Sequence, residues 1–181
     1  MRNLMMVVAL VCLAVSPCFA GESLDVYGNG SVIATFGGFE SLGNGYSVNG
    51  FVDLKKDGWF SKVRLAKMEG PVGLATELRI SSTGYRELVA GPQVELKDNA
   101  GFVRATYWLG ANGATLSVWQ QHTLSKDLWT NGWVDIKDDG QTKAELQIGY
   151  KVTPHTDLVA EYRFGSGRMA TELAVGVQFG L

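Results

Sequence analysis

From Val32 onward, apolar and polar residues alternate with a period of two, and turn residues interrupt the alternation about every 13 residues. A period of two sends successive side chains to opposite faces of an extended chain, so each run reads as a strand with one apolar face. The interruptions carry hairpin chemistry. Asp57-Gly58, Asn112-Gly113 and Asp139-Gly140 tolerate positive φ, and residues 82–84, 97–101, 165–167 and the region of Pro154 serve as further turns. Strands are expected at 31–39, 45–55, 59–68, 72–81, 86–96, 102–110, 114–122, 128–136, 141–152, 157–164 and 170–181. A short twelfth at Leu24-Asp25-Val26-Tyr27, before Asn29-Gly30, gives the even number that a closed up-and-down barrel needs; ten strands result if one run has been divided wrongly. Asn131-Gly132 and Asn49-Gly50 are alternative turns inside two of these runs. Pro92 lacks an amide donor and predicts a bulge in its strand.

The first twenty residues are of a different kind. Arg2 precedes an apolar run over residues 4–15, and Cys18-Phe19-Ala20 offers small residues where a signal peptidase reads. Residues 1–20 are therefore expected to be a removed signal peptide, with cleavage near Ala20 and a single domain over 21–181. The run is too short for a membrane helix, which needs about 20 residues. A lipoprotein signal ending at Cys18 fits poorly with Pro17 before it. Both cysteines, Cys12 and Cys18, fall in the leader, so no disulfide or thiolate metal site is expected in the mature chain. With 16 Lys and Arg against 18 Asp and Glu, there is no basic excess to bind nucleic acid. No phosphate loop, zinc spacing or calcium loop is present, and no cofactor is expected.

The faces separate cleanly. Val72, Leu74, Thr76, Leu78 and Ile80 oppose Gly73, Ala75, Glu77, Arg79 and Ser81; Ala144, Leu146, Ile148, Tyr150 and Val152 oppose Lys143, Glu145, Gln147, Gly149 and Lys151. Alternation alone leaves open whether the apolar side meets lipid or fills the core of a soluble barrel or sandwich. Charged residues make up 19% of the chain, against about 25% in ordinary soluble domains, which is sparse for a polar face that forms the whole surface. That face also mixes Trp108, Trp119, Trp129 and Trp133 with carboxylates, bases and glycines, as a crowded lumen would. Tyr46, Tyr107, Tyr150, Tyr162, Phe164 and Phe179 fall on the other face, toward strand ends, where interfacial aromatics are expected.

The segment Leu173-Ala174-Val175-Gly176-Val177-Gln178-Phe179-Gly180-Leu181 resembles the C-terminal strand of bacterial outer-membrane β-barrel proteins. Tyr150-Lys151-Val152-Thr153-Pro154 and Ala160-Glu161-Tyr162-Arg163-Phe164 resemble the short-turn hairpins of the same porin-like class. The terminal residue here is Leu181, with the aromatic Phe179 two places earlier. The resemblance implies an all-β, closed antiparallel transmembrane barrel in the bacterial outer membrane. Outer-membrane lipid would surround it, and the barrel assembly machinery would recognise residues 173–181.

In such a barrel the polar face lines the interior. The expected lining includes Lys62, Arg64, Glu77, Arg79, Glu95, Arg104, Glu145, Glu161, Arg163 and Glu172. A water-filled passage for ions or small solutes, its selectivity set by these charges, is one reading; a salt-bridged interior that fills a structural barrel is the other. A soluble periplasmic binding barrel is a third. Connections of about two to six residues disfavour adhesion through long loops and require any pore to be governed by its wall. Catalysis is not expected. His122 and His155 lie at strand ends or turns, and His122 with Ser125 is the one pairing that suggests a nucleophile and base.

Overall fold

The computed structural model describes residues 23–27, 32–166 and 171–180. They form β1 (Ser23–Tyr27), β2 (Val32–Gly43), β3 (Tyr46–Lys55), β4 (Gly58–Glu69), β5 (Val72–Ser81) and β6 (Arg86–Lys97). The second half continues as β7 (Gly101–Gly110), β8 (Gly113–Thr123), β9 (Leu128–Lys137), β10 (Thr142–Thr153), β11 (Thr156–Gly165) and β12 (Glu172–Gly180). Each strand pairs antiparallel with its sequence neighbours, and β1 pairs with β12 from Ser23↔Gly180 to Tyr27↔Gly176, so the sheet closes. The leader and Leu181 lie outside the described residues. The short segment before Asn29 is the twelfth strand.

Turn chemistry holds the hairpins as the sequence indicates. Asn44 and Gly45, with φ of 50° and 79°, form the two-residue turn between β2 and β3 that requires positive φ at both positions. Between β6 and β7, Asp98 Oδ1 accepts hydrogen bonds from the Ala100 and Gly101 amides at 2.8 Å each. Those two donors hold the Asp98 carboxyl below the usual carboxylate range. Asn49-Gly50 and Asn131-Gly132 are not turns: both lie inside continuous ladders, Gly50 opposite Val63 and Gly132 opposite Leu146.

Pro92 does not make a bulge. Ala90↔Leu109 and Gln93↔Thr106 share one register, so no residue is inserted between β6 and β7; the ladder lapses at Gly91 and Pro92 instead. The missing proline amide is accommodated by close approach. A Cβ on Gly91 would lie 1.7 Å from the Tyr107 carbonyl oxygen, so β7 occupies the space a side chain would need. Register shifts occur elsewhere, between Val32 and Ala34, Ser41 and Gly43, and Lys151 and Thr153, toward strand ends.

Register assigns the faces. Leu74, Leu88, Leu96, Leu109, Ile148, Tyr150, Leu158, Leu173 and Val175 are exposed on the outside, and the aromatic residues Tyr46, Tyr107, Tyr162, Phe164 and Phe179 share that surface. The apolar side thus faces out and the charged side in.

Replacing Gly91 with valine is expected to lower the unfolding free energy by about 1–3 kcal/mol, because the strands must separate to admit the side chain. Urea titration of protein refolded in lipid vesicles measures this, with Gly180→Ala as control, since nothing lies within 4 Å of that position. Equal urea midpoints for the two variants would refute the close approach of β7.

Candidate functional site

The interior of the barrel gathers the polar chemistry of the chain. Lys62, Arg64, Glu77, Arg79, Glu95, Arg104, Glu145, Glu161, Arg163 and Glu172 all occupy inward register positions. Glu77 and Glu161 are each only 1% exposed. Charges so enclosed need partners, and the strand pairs supply them.

On β4 to β7 the partners form two groups. Arg79 Nε donates to Glu77 Oε1 at 2.6 Å and its Nη1 to Glu87 Oε2 at 3.2 Å, while Lys62 Nζ lies 3.3 Å from Glu77 Oε2. Glu95 accepts from Arg104 Nε at 2.5 Å and from Lys97 Nζ at 2.7 Å. The Arg104 guanidinium lies 5.0 Å from the ring centres of both Phe102 and Trp119, within cation–π range of each. Arg64 differs from these. It donates to Thr106 Oγ1 at 3.0 Å and to Gln93, and it rests 5.0 Å from the centre of Trp108, with no ion pair among the described residues.

Across the closure, a second network joins β1 to β8. Tyr27 Oη donates to Glu161 Oε2 at 2.8 Å, and Gln147 Nε2 donates to the same carboxylate at 2.6 Å and to Tyr27 Oη at 3.0 Å. Asn131 Nδ2 donates to Gln147 Oε1 at 3.3 Å, and Asn131 Oδ1 accepts from Trp119 Nε1 at 2.5 Å. Arg163 links Glu145, at 2.9 Å, with Glu161. Asp25, Asp53 and Asp157 are held by neutral donors: Gln178 at 2.8 Å, Thr35 at 2.7 Å and Trp129 at 2.6 Å.

These bonds run along the wall. The longest steps, Tyr27 to Gln147 and Arg64 to Thr106, join strands three apart, whereas opposite walls are six apart. At a strand spacing near 4.8 Å and a tilt of about 40°, twelve strands enclose a backbone cylinder about 24 Å across. None of the bonds named above crosses that span. At the end that holds the termini, the interior opens into a cavity of about 380 Å³ bordered by Phe39, Tyr46, Gln93, Glu95, Lys97 and Arg104.

Charge alone marked the ionic members of this lining in the sequence. Tyr27, Gln93, Thr106, Asn131 and Gln147 carry no charge, and Asp25 and Tyr27 lie in the shortest strand; face parity was the one signal that could have found them. His122 pairs with Thr130 and points outward, and Ser125, in the β8–β9 turn, accepts from the Asp127 amide; no bond joins His122 and Ser125.

An antiparallel barrel of twelve strands, apolar outside and polar inside, is the architecture of porins. No protein-family model and no curated protein matches the chain. Among solved structures, the NanC porin aligns with a TM-score of 0.62 at 11% identity, covering 89% of this chain and 99% of that one. The KdgM porin aligns at 0.60 with 14% identity and coverages of 89% and 98%. A complex of KdgM porin with disordered oligogalacturonate gives 0.59 at 14% identity, with the same coverages. The chain shares the fold of these porins.

Replacing Glu161 with leucine removes the common acceptor of Tyr27, Gln147 and Arg163 and is expected to cost on the order of 3 kcal/mol. Tyr27→Phe, which removes one hydroxyl, is expected to cost about 1 kcal/mol. Urea unfolding in vesicles ranks the two. If neither differs from an exposed substitution such as Lys126→Ala, the network does not stabilise the closure.

Proposed function

We propose that this protein is an outer-membrane β-barrel that acts as a passive channel for ions and small hydrophilic solutes. The outer surface supports the membrane location. Leaving a leucine-sized side chain in water forfeits about 1.5–3 kcal/mol, and here a continuous belt of them faces outward. Lipid removes that cost, and closure lets every strand satisfy its backbone within the sheet. A soluble binding barrel would need the opposite assignment of faces. β12 presents Leu173, Val175 and Phe179 outward, which suits recognition of this strand by the barrel assembly machinery.

The observation that carries the channel reading is the lateral run of the interior bonds. Side chains tied to neighbours on their own arc leave opposite walls unbridged, as a passage requires; a plug would tie those walls together. The fold shared with porins supports passage in this chain too, but the oligogalacturonate of the KdgM complex is not carried over. Arg79, Arg104 and Arg163 are already engaged by carboxylates, so this wall does not present them freely to a polyanion.

Purified, heat-modifiable protein in planar bilayers is expected to give ohmic steps. Arg79→Glu should move the reversal potential toward cation selectivity, and the milder Arg104→Gln should move it the same way by less. Silent bilayers from protein with folded-barrel gel mobility would remove the channel and leave a sealed structural barrel.

A further inference from the structure

The inner wall carries apolar rings as well as charges. Register sets Phe39, Phe51 and Phe60 inward: Phe39 pairs with Asn49, Phe51 with Gly37 and Lys62, and Phe60 with Asp53 and Ser81. Each ring is the diagonal neighbour of the next. Each also lies one two-residue step, about 7 Å along the strand, nearer the end opposite the termini. The ring centres of Phe51 and Phe60 are 6.0 Å apart, and Gly37, directly opposite Phe51, adds no side chain to the row. Phe39 is 44% exposed in spite of its inward position, whereas leucines of similar exposure, such as Leu65, Leu78 and Leu146, face outward. A phenyl ring turned toward an aqueous interior forfeits the gain of burial, so stability does not explain a row of three.

The row joins the two ends of the interior. Phe39 borders the cavity of about 380 Å³ at the end that holds the termini. Phe60 borders a cleft of about 330 Å³ at the opposite end, together with Lys55 and Ser81 from the inner face and Lys56 and Asp57 from the turn. Two of the rings have a cation above them: Lys62 Nζ is 5.7 Å from the centre of Phe51, and Lys55 Nζ is 5.7 Å from the centre of Phe60. Lys62 shares Glu77 with Arg79, but Lys55 makes no ion pair among the described residues. Asp53, opposite Phe60, accepts from Thr35 Oγ1 at 2.7 Å, so these two groups satisfy each other and the Asn49 amide is the neutral polar group left beside the row.

We infer that the row is a binding track for small aromatic carboxylates, solutes with one arene ring and one carboxylate. Their rings pack on the phenyl faces in succession, and the carboxylate draws Lys55 or Lys62 off the ring it covers. A polyhydroxylated solute fits less well, because it gives up many hydrogen bonds to water and meets few free partners here. The inference rests on the channel reading and names a solute class for it.

Folded protein in planar bilayers tests this, with benzoate, benzamide, acetate or glucose added and the concentration that halves the ohmic current as the readout. Benzoate should block at lower concentration than benzamide, which has the ring without the charge, and acetate and glucose should not block in that range. Phe39→Ser and Phe51→Ser should each raise the half-blocking benzoate concentration about fivefold. Lys55→Gln should raise it about threefold for benzoate and leave benzamide unchanged. Lys143→Gln, an inward lysine of β10 on the opposite wall, should alter neither. Equal block by acetate and benzoate, block by glucose in the same range, or an unchanged benzoate response in the Phe39→Ser/Phe51→Ser double variant would each overturn the track. Silent bilayers remove the channel and the track together, whereas ohmic steps without selective block by benzoate remove the track alone.

Discussion

Five residue pairs between β1 and β12 decide what kind of object this chain is. Without them the sheet has two edges with unpaired amides and carbonyls, and such edges are not tolerated in hydrocarbon and invite association in water. With them, every strand acquires two neighbours, and the period-two pattern becomes an inside and an outside. The closing strand does more than complete the ladder. Asp25 and Tyr27 bring a carboxylate and a phenol to the seam, and their bonds to Gln178, Glu161 and Gln147 tie the first strand to the last three on the inner side as well.

The interior resolves a conflict between charge and space. Some fifteen acidic and basic side chains cannot face one another across a low-dielectric cylinder without partners, yet partners that meet at the axis would fill it. The chain pairs them sideways. Carboxylates pair with bases on the same or the adjacent strand, and aromatic rings lie 5.0 Å from the guanidinium groups of Arg64 and Arg104. Polar amides then bridge the intervals where no opposite charge is at hand, as Gln93 does beside Arg64 and Gln147 does beside Glu161.

Much of this was legible before any coordinates, because side-chain parity in a strand follows directly from residue order. The strands, their turns and the inward charges depend on that parity alone. Less legible was anything decided between strands. Asn49-Gly50 and Asn131-Gly132 have ideal turn chemistry, but neighbours on both sides hold each in a ladder, and long-range pairing outweighs a local preference. Pro92 announces a lost donor; only the partner strand determines whether the loss becomes a bulge or a gap, and Gly91 allows β7 close enough for the register to run through. Parity sets Gln93 and Gln147 on the polar face, but their bridging role stays hidden for a similar reason: it depends on what lies two or three strands away.

The exterior poses the complementary problem of orientation. Connections at both ends are two to six residues long, so loop length does not distinguish one side from the other. Outer-wall charge does. At the end that holds the termini, Lys67 and Glu69 neutralise each other, whereas at the opposite end Lys56 and Arg86 make no ion pair among the described residues. Were such a barrel to sit in a membrane, cations without a counter-ion at one rim would favour the orientation that turns that rim toward the more anionic face. Short loops leave few other residues to express that preference, so a few rim side chains carry the asymmetry between the two ends.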